Sequence, residues 1–172
     1  VPAMLEDHGR TNVAGIGFSC HACVLRPHSE GTVRLADADP RSAPLIDPAF
    51  LTDDRDMAVL KAGVRAMHRI LKSGPLAAFG GVDRHDTPLD DDAALEAMIR
   101  DRADTVYHPI GTARMGADDN AVCDTRLRVR GIDGLYVADA SIMPQLISGN
   151  TNAPSMMIGE RCADFILADA KS

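Results

Sequence analysis

The feature that most constrains this chain is an apolar stripe bracketed by turn residues. From about Asp53 to Lys72, Met57, Leu60, Val64, Met67 and Leu71 recur at helical spacing, Thr52 or Asp53 can cap the start, and Ser73-Gly74-Pro75 ends the run. A helix with one apolar face must bury it against another element. A second helix is predicted from near Asp90 to Ala103, with Leu95, Met98 and Ile99 on one face and three leading aspartates at the positive end of its dipole. A third runs from about Pro154 to Ala168 and turns Ile158, Cys162, Phe165 and Ile166 to one side.

Between these helices the pattern changes to period two. Ala14, Ile16, Phe18, Cys20, Ala22 and Val24 alternate within a strand expected from Asn12 to Val24, paired with Gly31 to Leu35. Pro40, Pro44 and Pro48 make the stretch from Asp37 a loop or a short edge strand. Arg126 to Arg130 alternates strictly, and Gly131-Ile132-Asp133-Gly134 turns it into the apolar run Leu135 to Ala138.

A chain of 172 residues can bury roughly 70% of the surface its unfolded form exposes, and length alone suggests one domain. With 45% hydrophobic and 25% charged residues the composition is that of a globular protein rather than a disordered one. A net charge of -7, 3% aromatic residues and no Trp argue against nucleic acid as a partner. No apolar run reaches the roughly 18 residues needed to cross a bilayer. Four cysteines at irregular spacing point to a reducing compartment, so a cytoplasmic location is expected.

Chemistry concentrates in two segments. Thr105 to Gly116 carries His108-Pro109-Ile110-Gly111-Thr112-Ala113-Arg114-Met115-Gly116, placing a lone histidine in a turn between helical and glycine-rich sequence. Further on, Val137-Ala138-Asp139-Ala140-Ser141 is followed by Gly149-Asn150-Thr151-Asn152-Ala153-Pro154, a strand end, a polar loop and a helix start. This order resembles the C-terminal portion of the glucose–methanol–choline (GMC) flavoprotein oxidoreductases, and within them the bacterial choline and aliphatic alcohol dehydrogenases.

The resemblance implies an α+β fold, an antiparallel sheet with flanking helices. Residues 1–123 would form the substrate-binding domain with the histidine loop, and residues 124–172 the strand and helix that return to the FAD-binding domain. It implies FAD as cofactor and a primary alcohol, choline or an aliphatic one, as substrate. Gly15-Ile16-Gly17-Phe18-Ser19-Cys20 lacks the third glycine of a dinucleotide fingerprint, so the chain is expected to be the C-terminal part of a longer protein, inactive alone. The full-length protein could then also associate with a membrane. The exposed apolar face of its last helix would lead the fragment to pair with a second copy.

Oxidising an alcohol by hydride transfer requires a base beside the hydroxyl, and histidine suits that task near neutral pH. By resemblance His108 is that base, and Pro109 restricts its backbone toward extended conformations. Asn150 stands where relatives carry His or Asn. Its amide can donate to a forming alkoxide but cannot exchange a proton. Asp139 and Ala140 are implied along the cofactor, and Asn152 and Ala153, opening the last helix, would present N–H groups to negative charge on the flavin. Read without the family, His108 is a structural histidine, Asn150 a capping residue and Asp139 a turn residue.

Arg114 reads as half of a structural ion pair. Cys20-His21-Ala22-Cys23 with His28 invites a zinc reading, but a continuous strand would point the two cysteines to opposite faces, so no metal is expected. Two alternatives stay open: a non-catalytic binding or zinc-structured module, and a GMC oxidase or lyase. The electron acceptor is not specified by these motifs.

Overall fold

The computed structural model describes residues 5–6, 11–12, 15 and 17–171. They form an α+β arrangement of antiparallel two-stranded pairings and helices, divided into two compact units. The first unit comprises Val1–Val24 and Leu51–Val106, and the second Leu25–Phe50 and Tyr107–Ser172. This division by packing is a different partition from the functional one expected at residue 123.

In the first unit, β1 (Leu5–Glu6) pairs antiparallel with β2 (Thr11–Asn12). α1 (Asp54–Leu71) starts where Asp53 accepts a hydrogen bond from Arg55 N at 2.9 Å, which settles the capping residue as Asp53. The chain then enters α2 (Gly74–Ala77), with Pro75 in its first turn, where a missing N–H costs little. α3 (Asp92–Arg102) is capped by Asp91, which accepts from Ala93 N and Ala94 N. Met57, Leu95 and Ile99 are the buried centre between α1 and α3, joined by Leu60, Val64 and Met98 from the predicted faces. Leu95 is fully buried, worth about 2 kcal/mol relative to exposure. Lys61 and Arg65 bridge the rim to Asp92 and Glu96.

Among its described residues, the strand expected over Asn12 to Val24 is not formed beyond Asn12, which ends β2. Residues 17–24 carry no regular structure, and residues 13, 14 and 16 lie outside the described set. Its intended partner pairs elsewhere: β3 (Thr32–Arg34) runs antiparallel to β4 (Leu45–Asp47), with Val33 opposite Ile46. The proline-rich stretch therefore supplies a short edge strand and captures the hydrogen bonds that alternation had assigned to residues 12–24. Gly31 allows the close approach, since a Cβ there would collide with the carbonyl of Asp47.

The second unit holds the larger core. Cys123, Leu127, Ile142, Met143, Ile158 and Cys162 are buried together, with Ile110, Met115, Val129, Tyr136 and Phe165 packed against them. The predicted strands at 126–130 and 135–138 appear as single bridges, Cys123 to Val129 and Arg128 to Tyr136. Left-handed Leu127 (φ 67°) and the turn glycines Gly131 and Gly134 (φ 79° and 74°) interrupt the ladder before it extends. The alternation still directs burial, because Leu127 and Val129 face the core while Arg128 and Arg130 are exposed.

A short 3₁₀ helix, Ala140–Ile142, follows, and α4 (Asn152–Asp169) completes the unit. α4 begins at Asn152, two residues before Pro154. It buries Ile158 and Cys162 and packs Phe165, whereas Ile166, expected on the same face, is exposed. Its last turn is fixed by Asp169, which accepts from Arg126 at 2.6 Å and from the Tyr136 hydroxyl at 2.7 Å, while the Arg126 guanidinium lies 4.8 Å from the Phe165 ring centre. No helix among the described residues is long and apolar enough to cross a membrane.

Candidate active site

His108 follows Tyr107, a non-glycine residue in the left-handed region (φ 62°), and precedes Pro109. Backbone on both sides is thus constrained, which fixes the direction in which the ring leaves the chain. Gly111 (φ 91°) lets the segment turn, and Arg114 N closes that turn on Gly111 O. The loop then runs beside the 3₁₀ helix: Ala113 N donates to Ser141 O at 3.0 Å and Met115 N to Ile142 O at 2.8 Å. These two bonds tie the histidine motif to the Asp139-Ala140-Ser141 motif, segments far apart in sequence.

The His108 ring is half-buried, and its Nδ1 lies 3.1 Å from Thr151 Oγ1. Thr151 is buried and stands between the exposed Asn150 and the exposed first residues of α4, Asn152 and Ala153. The histidine is therefore in contact with the polar segment that carries Asn150, Asn152 and Ala153. Thr151 was missed in the sequence, where a threonine just before a helix reads as an ordinary cap. Its burial, which distinguishes it, has no sequence signal.

Asp139 caps the 3₁₀ helix by accepting from Ser141 N at 2.7 Å. Hydrogen bonding from Ser141 holds its carboxyl below the usual value of 3.8, so it is anionic at neutral pH. The turn-residue reading of Asp139 is thus realised, with its side chain still exposed. Ala140 is half-buried against the core.

α4 opens without a side-chain cap and with no acidic residue in its first turn. Its positive end is left without a neighbouring carboxylate from its own sequence, and Pro154 contributes no N–H, so Asn152 and Ala153 carry the available donors of that turn. This suits a group bearing negative charge, such as the pyrimidine edge of a reduced flavin. On this observation the residues fit FAD.

Arg114 pairs with Asp118 through two hydrogen bonds of 2.8 and 2.6 Å, the structural ion pair expected of it, and this pairing holds the Asp118 carboxyl well below the usual range. Among the described residues no group of three His, Cys, Asp or Glu side chains could hold a metal ion. His108 lines neither of two surface hollows. One of about 460 Å³ is lined by Asp54, Lys61, Arg65, Asp92 and Glu96, and one of about 390 Å³ by Asp124, Arg128, Tyr136 and Asp169. Their charged walls are largely paired with one another, so they lack converging free groups for chemistry.

The sequence model of the GMC oxidoreductase family matches residues 27–159, most of the chain, including the His108, Asp139 and Asn150 segments. This chain belongs to the GMC oxidoreductase family. Similar GMC proteins include an alcohol dehydrogenase [acceptor] of Pseudomonas putida, 42% identical over 168 residues that cover 97% of this chain and 30% of the relative. A choline oxidase of Arthrobacter globiformis is 45% identical over 157 residues, covering 87% of this chain and 28% of that protein. The solved structures include the formate oxidase of Aspergillus oryzae RIB40, studied for modification of its FAD, with a TM-score of 0.80 and 35% identity over 86% of this chain and 26% of that one. This GMC chain thus spans about 30% of the length of the curated relatives it matches.

Proposed function

We propose that this chain is the C-terminal part of an FAD-dependent alcohol dehydrogenase that oxidises a primary alcohol, choline or an aliphatic one, to its aldehyde in the cytoplasm. The observation that carries the reading is the half-buried His108 ring in contact with the loop that opens α4. In this scheme residues 1–123 serve substrate binding and residues 124–172 return the chain to the cofactor. Names of similar proteins support the alcohol class, since they include an alcohol dehydrogenase and a choline oxidase.

His108 accepts the hydroxyl proton on the ring nitrogen that Thr151 does not occupy. Asn150 donates its amide hydrogen to the oxygen that becomes negative, a donor that stabilises the charge without competing for the proton. Asp139, Ala140 and the first-turn N–H groups of Asn152 and Ala153 would hold FAD. When bound, that cofactor supplies the acceptor for the hydride of the alcohol carbon. Keeping proton acceptor and oxygen donor on separate residues lets both act in one transition state.

The test is the visible absorption of the full-length protein, recorded without oxygen before and after adding choline and a series of primary alcohols. Bleaching of a flavin band by one of them is expected. A flavin band that none of them bleaches would reject the dehydrogenase reading, and absence of flavin would favour a binding module. The choline oxidase and formate oxidase matches give weight to a second reading, transfer of the electrons to oxygen. Oxygen consumption during turnover decides between the two.

A further inference from the structure

Thr151 occupies the position that normally caps a helix, yet its hydroxyl makes no capping bond to α4, and its backbone is itself helical (φ −84°, ψ −3°). The hydroxyl instead meets His108 Nδ1 at 3.1 Å, within a residue only 9% exposed. A threonine at this position would ordinarily satisfy one of the first N–H groups of the helix. Here that stabilisation is forgone, and the oxygen is committed to the ring. The loop around it is held from its other side, since Ser155 N and Ser155 Oγ both donate to the Thr151 carbonyl and Arg26 Nε donates to Ser148 Oγ.

A neutral imidazole carries one proton, and which nitrogen bears it is set by the hydrogen bond that the other nitrogen, or the same one, makes. If the Thr151 hydroxyl donated to Nδ1, the proton would sit on Nε2 and that nitrogen could accept nothing. If Nδ1–H donates to Thr151 Oγ1, Nε2 is a bare acceptor. Only the second arrangement also survives protonation, because the imidazolium keeps the same Nδ1–H donor and needs no rotation of the ring or the hydroxyl.

We infer that Thr151 is a positioning residue whose Oγ1 accepts from His108 Nδ1–H, fixing the ring and its tautomer so that Nε2 is the atom that takes the substrate proton. The inference rests on the reading of His108 as the base. In the step itself the alcohol O–H bond breaks and the Nε2–H bond forms, while the carbon–hydrogen bond of the alcohol carbon breaks and a C=O bond forms, the hydride being taken by the FAD that the full-length protein would hold. Thr151 touches neither substrate nor cofactor in this account and acts only through the ring.

The experiment compares the flavin-loaded full-length protein, labelled with ¹⁵N-histidine, with its Thr151→Val and Thr151→Ser variants. The His108 resonances are assigned by their loss in His108→Gln. Thr151→Val keeps the shape and removes the oxygen, and is expected to shift the neutral tautomer away from Nδ1–H by about 2- to 10-fold, the share set by one neutral hydrogen bond. It should also slow flavin reduction by roughly 10-fold with alcohol affinity unchanged, as expected for a misdirected reacting group. Thr151→Ser should restore both. An unchanged tautomer in Thr151→Val overturns the inference even where reduction slows, because a merely structural role would act that way. Should the valine variant not accumulate as folded protein, Thr151→Ala is read by the same resonances. His108→Gln reducing flavin at the parental rate would instead reject the base reading, whatever the tautomer does.

Discussion

Ile142 links the core of the second unit to the site, and replacing it with alanine tests whether that core is rigid. The side chain is 1% exposed and sits among Cys123, Leu127, Met143, Ile158 and Cys162. Three side-chain carbons at about 0.8 kcal/mol each give a transfer loss of roughly 2.5 kcal/mol. Collapse into the space is opposed because the surrounding backbone is pinned: Met115 N donates to Ile142 O at 2.8 Å, and the 3₁₀ turn closes through Met143 N to Ala140 O at 3.1 Å. Cavity formation therefore adds about 1 kcal/mol, for a total of about 3–4 kcal/mol, while Ile142→Val should cost only about 1 kcal/mol. Native-state hydrogen exchange reads this locally in the full-length protein. Protection of the Met115 and Ala113 amides, bonded to Ile142 and Ser141, should fall roughly 100- to 1000-fold in Ile142→Ala. A fall of less than about 5-fold would show that the cluster repacks freely and that the loop is not held by it.

Two other outcomes follow from the same unit. Gly111 is left-handed (φ 91°) with its nearest obstruction at 3.7 Å, so Gly111→Ala fits sterically yet should lose about 1–2 kcal/mol through backbone strain, measured as a lower thermal midpoint and slower flavin reduction. The end of α4 should loosen at both extremes of pH. Asp169 is held below 3.8 chiefly by the Tyr136 hydroxyl, so its contribution is complete above that value and lost as pH falls through its lower folded value. Tyr136 is raised above 10.0 chiefly by the same bond, so its contribution is complete below pH 10.0 and lost as pH rises through the higher folded value. Exchange of the last-turn amides of α4 should accelerate at both ends in the parent; Tyr136→Phe should lose the alkaline arm and weaken the acid arm, which the Arg126–Asp169 pair still supports.

The helices were legible because their signals are local. Asp53, one of the two caps the sequence offered, starts α1, one of the three leading aspartates, Asp91, caps α3, and Met57, Leu60 and Val64 meet Leu95 and Ile99 across the predicted faces. Strands were not legible to the same degree, since a strand requires a partner edge that alternation does not name. Residues 17–24 alternate without forming one, and Leu45–Asp47, marked by prolines, completes β4 instead. Within Arg126 to Arg130 alternation correctly turned Leu127 and Val129 to the core, but left-handed turns limited each pairing to a single bridge. At the site, family motifs drew attention to His108 and Asn150, whereas Thr151 emerged only from the tertiary contact across 43 residues.

The most direct measurement of the central claim is the rate of flavin reduction by the best alcohol in the full-length protein and its His108→Ala variant, mixed without oxygen. A base at His108 predicts reduction slowed by roughly 100-fold or more in the variant. Reduction at the parental rate would contradict the assignment of His108 as the group that takes the proton.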